Sequence, residues 1–257
     1  MSYEGKTLVL SGGTKGIGKA IIYEFAKAGC NIAFTYNSNE EEAKSIEFDL
    51  IKEYGVKVKN YPLNILEPDS YKELFKKVDE DFGSVHYFIS NAIISGRPVV
   101  GGFAPFMRLK PKGLNNIYTA TVLAFVVGAQ EAAKRMEKIG GGSIIALSST
   151  GNLVHTTNYA GHGSSKASLE TMVKYAALEL ADKKIRVNAL SGGPIETDAL
   201  KKFPNFEELK QEVINRTPLG RMGQSEDLAG IAKFLCSEDA KWITGQIIIA
   251  DGGSSFT

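Results

Sequence analysis

Ser11-Gly12-Gly13-Thr14-Lys15-Gly16-Ile17-Gly18 decides the fold. It follows an apolar run at residues 7–10 and opens a stretch, 16–28, in which Ile17, Ile21 and Phe25 recur every four residues. The first pattern predicts a strand and the second an amphipathic helix. Glycines at the junction permit a tight turn. They also let backbone amides at a helix N-terminus approach a diphosphate. Gly12, Thr14, Lys15, Gly16, Ile17 and Gly18 are therefore candidates to hold an anionic dinucleotide. A plain β–α turn uses the same glycines, so their position between strand and helix carries the expectation.

The alternation continues downstream. Strand patterns occupy 31–36, 56–62, 85–90, 143–148, 186–190 and 247–250. Helical patterns occupy 40–54, 70–82, 115–138, a stretch from just after Gly163 to about Leu180, part of 205–215, and 225–236. Seven strands with helices between them predict an α/β fold: a doubly wound, Rossmann-like, seven-stranded parallel sheet with helices on both faces. One catalytic domain over 1–257 is expected, with substrate-side loops near 95–113 and 198–219.

Composition narrows the function. Thirty Lys and Arg against 29 Asp and Glu give a net charge of +1, which argues against a dedicated nucleic-acid binder. Two cysteines, Cys30 and Cys236, exclude a disulfide scaffold and a thiolate-only zinc site. His86, His155 and His162 lack metal-ligand spacing, so no metal is expected. No leader-like start and no apolar run of 18 residues appear, which predicts a cytoplasmic chain without a membrane span. The 27 glycines exceed the usual ~7% and direct attention to turns.

The second strand runs into Thr35-Tyr36-Asn37-Ser38, with no acid before Glu40. An NAD site usually places an acid there for the ribose 2′-hydroxyl, and an acid would repel a 2′-phosphate. Its absence points to NADPH, with Lys15 near that phosphate.

Beyond the glycine loop, Asn64 follows the third strand and Ser90-Asn91-Ala92 ends the fourth. Ser148-Ser149, Lys166, the 191–197 segment and Asp251-Gly252-Gly253 come after. Together these resemble the short-chain dehydrogenase/reductase family over almost the whole chain. Members usually carry a tyrosine four residues before the lysine; here His162 stands there and Tyr159 lies seven before Lys166. Tyr-x6-Lys resembles the enoyl-acyl-carrier-protein reductase branch. Asn158-Tyr159, Lys166-Ala167, Ser191-Gly192-Gly193 and Ile195-Glu196-Thr197-Asp198-Ala199-Leu200 resemble its type III, NADPH-dependent bacterial members. The family's helix asparagine is replaced by Thr121, the family serine falls at Ser149, and Ile93 follows Ala92 where glycine is usual.

The resemblance implies Tyr159 and Lys166 as catalytic residues. Tyr159 would stabilise the enolate oxygen that forms as hydride reaches the β-carbon of an enoyl thioester. Lys166 would hold the nicotinamide ribose and place positive charge near the phenol. Asn64 would lie by the adenine, Asn91 and Ala92 would line the cleft, and Ile195 and Thr197 would clamp the nicotinamide carboxamide. Gly161 and Gly163 predict a bend before the helix, which lets Tyr159 fold back. A helix begun earlier would set Tyr159 about 10.5 Å from Lys166 along its axis. His162 could also serve as a base in place of the tyrosine.

Phe103, Phe106, Met107, Leu109, Leu200, Phe203 and Phe206 suit an apolar acyl chain. Arg108, Lys110 and Lys112 in one loop, and Lys201, Lys202, Lys210, Arg216 and Arg221 in or beside the other, could steer an acidic carrier protein. The expected partners are a fatty acyl thioester on acyl carrier protein and, by resemblance, three further copies in a homotetramer. The helices near 115–138 and 163–180 would lie at its interfaces. Carbonyl or 3-oxoacyl reduction is the competing chemistry, and a nonenzymatic dinucleotide sensor a third.

Overall fold

In the computed structural model, which describes residues 3–94, 100–197 and 206–256, every side chain of strand β1 (Thr7–Ser11) is buried. A strand covered on both faces needs neighbours on either edge and helices above and below. Strands β2 (Asn31–Tyr36), β3 (Val58–Pro62), β4 (Tyr87–Ser90), β5 (Gly142–Ser149), β6 (Ile185–Gly192) and β7 (Ile247–Ala250) complete the sheet. Their order is β3-β2-β1-β4-β5-β6-β7 and every pair is parallel. This is the doubly wound seven-stranded arrangement expected from the alternation. Strand order reverses between β1 and β4, where Ser11 pairs with Ser90, so a crevice opens at their carboxyl ends.

The helices are α1 (Gly16–Lys27), α2 (Glu40–Tyr54), α3 (Ser70–Phe82), α4 (Pro111–Tyr118), α5 (Ala124–Lys138), α6 (Ala160–Glu179), α7 (Phe206–Arg216) and α8 (Ser225–Cys236). Successive strand residues face opposite sides. Leu8, Leu10 and Ile145 therefore join the core under α1 and α8, with Ile22 and Leu235. Val9, Phe88 and Ile144 join the core under α3, α5 and α6, with Phe75, Phe125 and Leu169.

Two expectations need correction. The helix predicted over 115–138 begins at Pro111, where proline's missing amide costs nothing. It then passes through a π-helical turn, Thr119–Leu123, before α5. The second concerns the start of α6. The expected bend at Gly161 and Gly163 is absent, and both lie within the helix, which begins directly after Tyr159. A Cβ on Gly161 would lie 2.3 Å from the Gly102 carbonyl oxygen, and one on Gly163 would lie 2.7 Å from that of Gly151. These glycines let a helix lie against other backbone; they do not break it. Smaller shifts move β3 to start at Val58 and β4 at Tyr87, and lengthen β5 and β6. Leu200, Lys201, Lys202 and Phe203 lie outside the described residues. No helix among the described residues is long and apolar enough to cross a membrane.

Candidate active site

The glycine loop is built by packing as much as by conformational freedom. Gly12 has φ +78°, and a Cβ there would lie 3.0 Å from Ala92. A Cβ on Gly18 would lie 2.0 Å from the Gly12 carbonyl oxygen. Asn91 Nδ2 donates to the Ser11 and Gly12 carbonyls at 3.1 and 2.8 Å. Ser11 Oγ accepts from the Asn91 and Ala92 amides at 3.0 and 3.1 Å. Asn91 and Ala92 thus brace the loop from β4. Thr35 braces it from β2: its Oγ1 accepts from the Gly12 amide at 3.0 Å and its carbonyl from the Gly13 amide at 2.9 Å. Thr35 was not singled out from the sequence, although a threonine ending a strand beside a glycine loop is a readable signal.

The first turn of α1 remains to face the cleft. Lys15 occupies the N-cap without a side-chain cap hydrogen bond, and the turn holds no acid. Amides so placed at a helix N-terminus suit an anion. Thr14 sits half-buried just before this turn. Gly16 has φ +50°, and a Cβ there would meet only Thr197 Cγ2, at 3.6 Å. Thr197 is positioned from β6 through an isolated bridge between Ile195 and Gly223, and the Glu196 amide donates to the Gly223 carbonyl at 2.8 Å. The N-terminal turn of α1 and the segment 195–197 therefore lie against one another. A groove of about 420 Å³ runs from Gly16 and Thr197 between α1 and α8 to Tyr54; neither Tyr159 nor Lys166 lines it.

Beside the first turn of α1, Lys15 is exposed, and its Nζ lies 3.8 Å from Glu42 Oε2. Asn39 caps α2 and donates to the same carboxylate at 2.8 Å. An acid therefore does stand beside Lys15, brought there by the first turn of α2. Asn64 folds onto its own turn, accepting from the Leu66 amide at 3.1 Å and donating to Glu67 at 2.9 Å.

The residues proposed for chemistry gather after β5. Ser149 Oγ accepts from the Gly151 amide at 3.3 Å and opens the 3-10 turn Thr150–Asn152. Asn158 takes the left-handed conformation, φ 63°, which asparagine tolerates better than most residues. It directs Tyr159 back, and the ring lies over Gly151, where a Cβ would come within 2.5 Å of Tyr159 Cε1 and 3.5 Å of Ser149 Oγ. His162 stacks on Tyr159 with centroids 5.3 Å apart and planes at 23°. Phe103 meets both rings edge-on, at 6.1 and 6.0 Å. Gly102, beside Phe103, packs against Gly113 of α4 and Gly161 of α6, which anchors this loop.

Lys166 is buried, and its Nζ donates to the Leu147 carbonyl at 2.6 Å. Burial lowers it to about 8, against the opposing pull of the Glu170 carboxylate. Burial, and then the Lys166 charge, lower His162 to about 4, so His162 is neutral at pH 7. Thr121 is buried within the π turn, against which α6 packs. Such turns recur at functional sites.

A family model described as enoyl-(acyl carrier protein) reductase matches residues 12–255. The chain belongs to the short-chain dehydrogenase/reductase family. It is 33% identical to the 1-cyclohexenylcarbonyl-CoA reductase of Streptomyces collinus over 96% of this chain and 86% of that protein. It is 30% identical to the 3-oxoacyl-[acyl-carrier-protein] reductase FabG of Aquifex aeolicus over 97% of each. A solved 7 alpha-hydroxysteroid dehydrogenase, complexed with NADH and 7-oxo glycochenodeoxycholic acid, matches with a TM-score of 0.89 and 32% identity, over 98% of this chain and 95% of that one. Within this family the chain is an oxidoreductase dependent on NADH or NADPH that reduces a carbonyl or enoyl substrate.

Proposed function

We propose that the chain reduces the 2,3 double bond of trans-2-enoyl thioesters on acyl carrier protein, with NADPH, in cytoplasmic fatty acid synthesis. The carrying observation is the seat of Tyr159: its ring lies over Gly151 next to Ser149, with a neutral histidine stacked where the family tyrosine is usual. NADPH, when bound, supplies the hydride. Tyr159 donates a hydrogen bond to the thioester oxygen, where charge develops as the β-carbon takes the hydride, and the α-carbon of the enolate then takes a proton from solvent. Lys166 would hold the nicotinamide ribose with the donors that Leu147 leaves it. Gly16, Ile17 and Gly18 offer first-turn amides to the diphosphate, braced by Asn91 and Ala92. Ile195 and Thr197 would hold the carboxamide, and Asn64 would border the adenine. Lys15, exposed beside Glu42, would hold the 2′-phosphate.

The relative in Streptomyces collinus supports this chemistry, because its named substrate is a thioester conjugated to a carbon–carbon double bond. Exposed Phe106 and Met107 offer apolar surface to an acyl chain, beside exposed Arg108, Lys110 and Lys112 for an acidic carrier. Lys210 is 3.1 Å from Glu196 and Arg221 is paired with Asp227, so the first loop suits the steering role better. Met172, Tyr175 and Leu178 are exposed on α6 and suit contacts between copies in a homotetramer.

A second chemistry, 3-oxoacyl or other carbonyl reduction, has support from FabG and the hydroxysteroid dehydrogenase, and from Ser149 at the family position. Parallel initial rates with crotonyl and 3-oxobutyryl thioesters, each with NADPH and NADH, separate the two. Faster 3-oxobutyryl turnover would replace the first proposal by the second.

A further inference from the structure

Glu170 lies one helical turn beyond Lys166 on α6, and both side chains are buried. An acid buried in a core is expensive unless it is paired and hydrogen-bonded. Glu170 is hydrogen-bonded at both oxygens, and the Lys166 ammonium one turn back is the cation its charge acts on. Ser148 Oγ donates to its Oε1 at 2.6 Å, and Asn152 Nδ2 donates to its Oε2 at 2.8 Å. The Asn152 amide oxygen is buried without a partner among the described residues, so Glu170 alone orients that amide. Lys166 binds Leu147, the residue before Ser148. Three side-chain ties thus run from one face of α6 to residues 147–152, the segment that carries Ser149 and the Gly151 seat of Tyr159.

We propose that Glu170 is a positioning residue for Lys166: its carboxylate, held by Ser148 and Asn152, supplies the counter-charge to the ammonium and ties it to the end of β5. Glu170 acts through Lys166 and the β5 end, without contact to substrate. Other elements around Lys166 offer no comparable charge among the described residues. β5 contributes Ser148 and Ser149, and the π turn contributes Thr121. The end of β6 contributes Ser191, paired in register with Ser148. On α6 itself His162 is neutral at pH 7, and Tyr159 precedes the helix. Glu170 is also the group whose charge opposes the effect of burial on Lys166. Removing that charge weakens the protonated state of Lys166 and so narrows the pH range in which it can hold the nicotinamide ribose, the role proposed above.

The test is a titration of the cofactor-free chain, labelled with ¹⁵N at lysine Nζ and assigned with Lys166→Arg. In Glu170→Gln the Lys166 midpoint should fall by about one unit, the scale of a lost neighbouring charge. Glu170→Asp, which keeps the charge, should restore much of the difference. The alkaline limb of kcat/KM for NADPH should move to lower pH with the Gln variant. A purely structural role would lower activity and leave the midpoint in place, and an unmoved midpoint overturns the proposal. Should Glu170→Gln fail to fold, the triple variant S148A/N152L/E170M removes the carboxylate together with its donors and is read in the same way. No substrate enters the titration, so failure of the enoyl assignment leaves this result standing, and an unmoved midpoint leaves the enoyl assignment untouched.

Discussion

Tyr159 and His162 stack face to face, 5.3 Å apart and 23° from parallel, at the first turn of α6. His162 stands four residues before Lys166, and the Tyr159 ring reaches it from just before the helix. Which ring touches the substrate oxygen is therefore a question about two adjacent groups. Tyr159→Phe should lower kcat about 10²–10³-fold, the scale of one lost oxyanion donor, and leave NADPH binding near wild type. His162→Phe keeps the stack and should retain most of the rate. Stopped-flow turnover with fluorescence titration of NADPH checks both, and the opposite ranking would assign the chemistry to His162.

The pH dependence of stability follows from His162 in a direction that can be worked out. Its value in the folded chain, about 4, lies below the ordinary 6.5, so between those values the unfolded chain takes up a proton that the folded chain refuses. The stabilising effect is whole above pH 6.5 and is lost as pH falls toward 4, by at most about 3 kcal/mol. His86 carries the same depression, caused by burial and then by Lys6. His162→Gln should therefore flatten the acid fall in urea midpoint by roughly half. An unchanged acid limb would show that His162 takes up its proton freely in the folded chain.

Two glycine substitutions should have opposite signs. A Cβ on Gly161 would lie 2.3 Å from backbone oxygen at Gly102, so Gly161→Ala must push the Phe103 loop away from α6. A loss of about 1–3 kcal/mol is expected, with a rise in KM for the acyl substrate. Gly230 lies in α8 with nothing within 4 Å of its Cβ position, so Gly230→Ala should stabilise the chain by about 0.5–1 kcal/mol. Thermal and urea unfolding measure both.

The proposed preference for NADPH is tested at the Lys15–Glu42 pair. Lys15→Ala should raise KM for NADPH about 10-fold, the size of one charge-assisted contact, and barely affect NADH. Glu42→Gln should favour NADPH further, because the carboxylate no longer competes for Lys15. Equal effects on both cofactors would place the 2′-phosphate elsewhere.

The exposed stripe Met172, Tyr175 and Leu178 on α6 predicts the assembly. Leu178 is 80% exposed, so replacing it costs the lone chain little. Tyr175→Glu/Leu178→Glu should convert the proposed homotetramer to smaller species by light scattering, with the circular dichroism spectrum retained. A variant that stays tetrameric would move the interface off α6.

The period of the apolar residues determined the sheet, its helices and the glycine loop, because strand and helix patterns and turn chemistry are local properties of the chain. The sequence itself also places His162 four residues and Tyr159 seven residues before Lys166. Tertiary structure decided what the glycines at 161 and 163 are for. They read as helix breakers, but the backbone of Gly102 and Gly151 comes too close for any side chain, so they permit the helix instead. Only the fold could bring Glu42 to Lys15 and Glu170 to Ser148 and Asn152. Those pairs join residues on separate elements, and their meeting depends on how strands and helices pack, which no local pattern encodes.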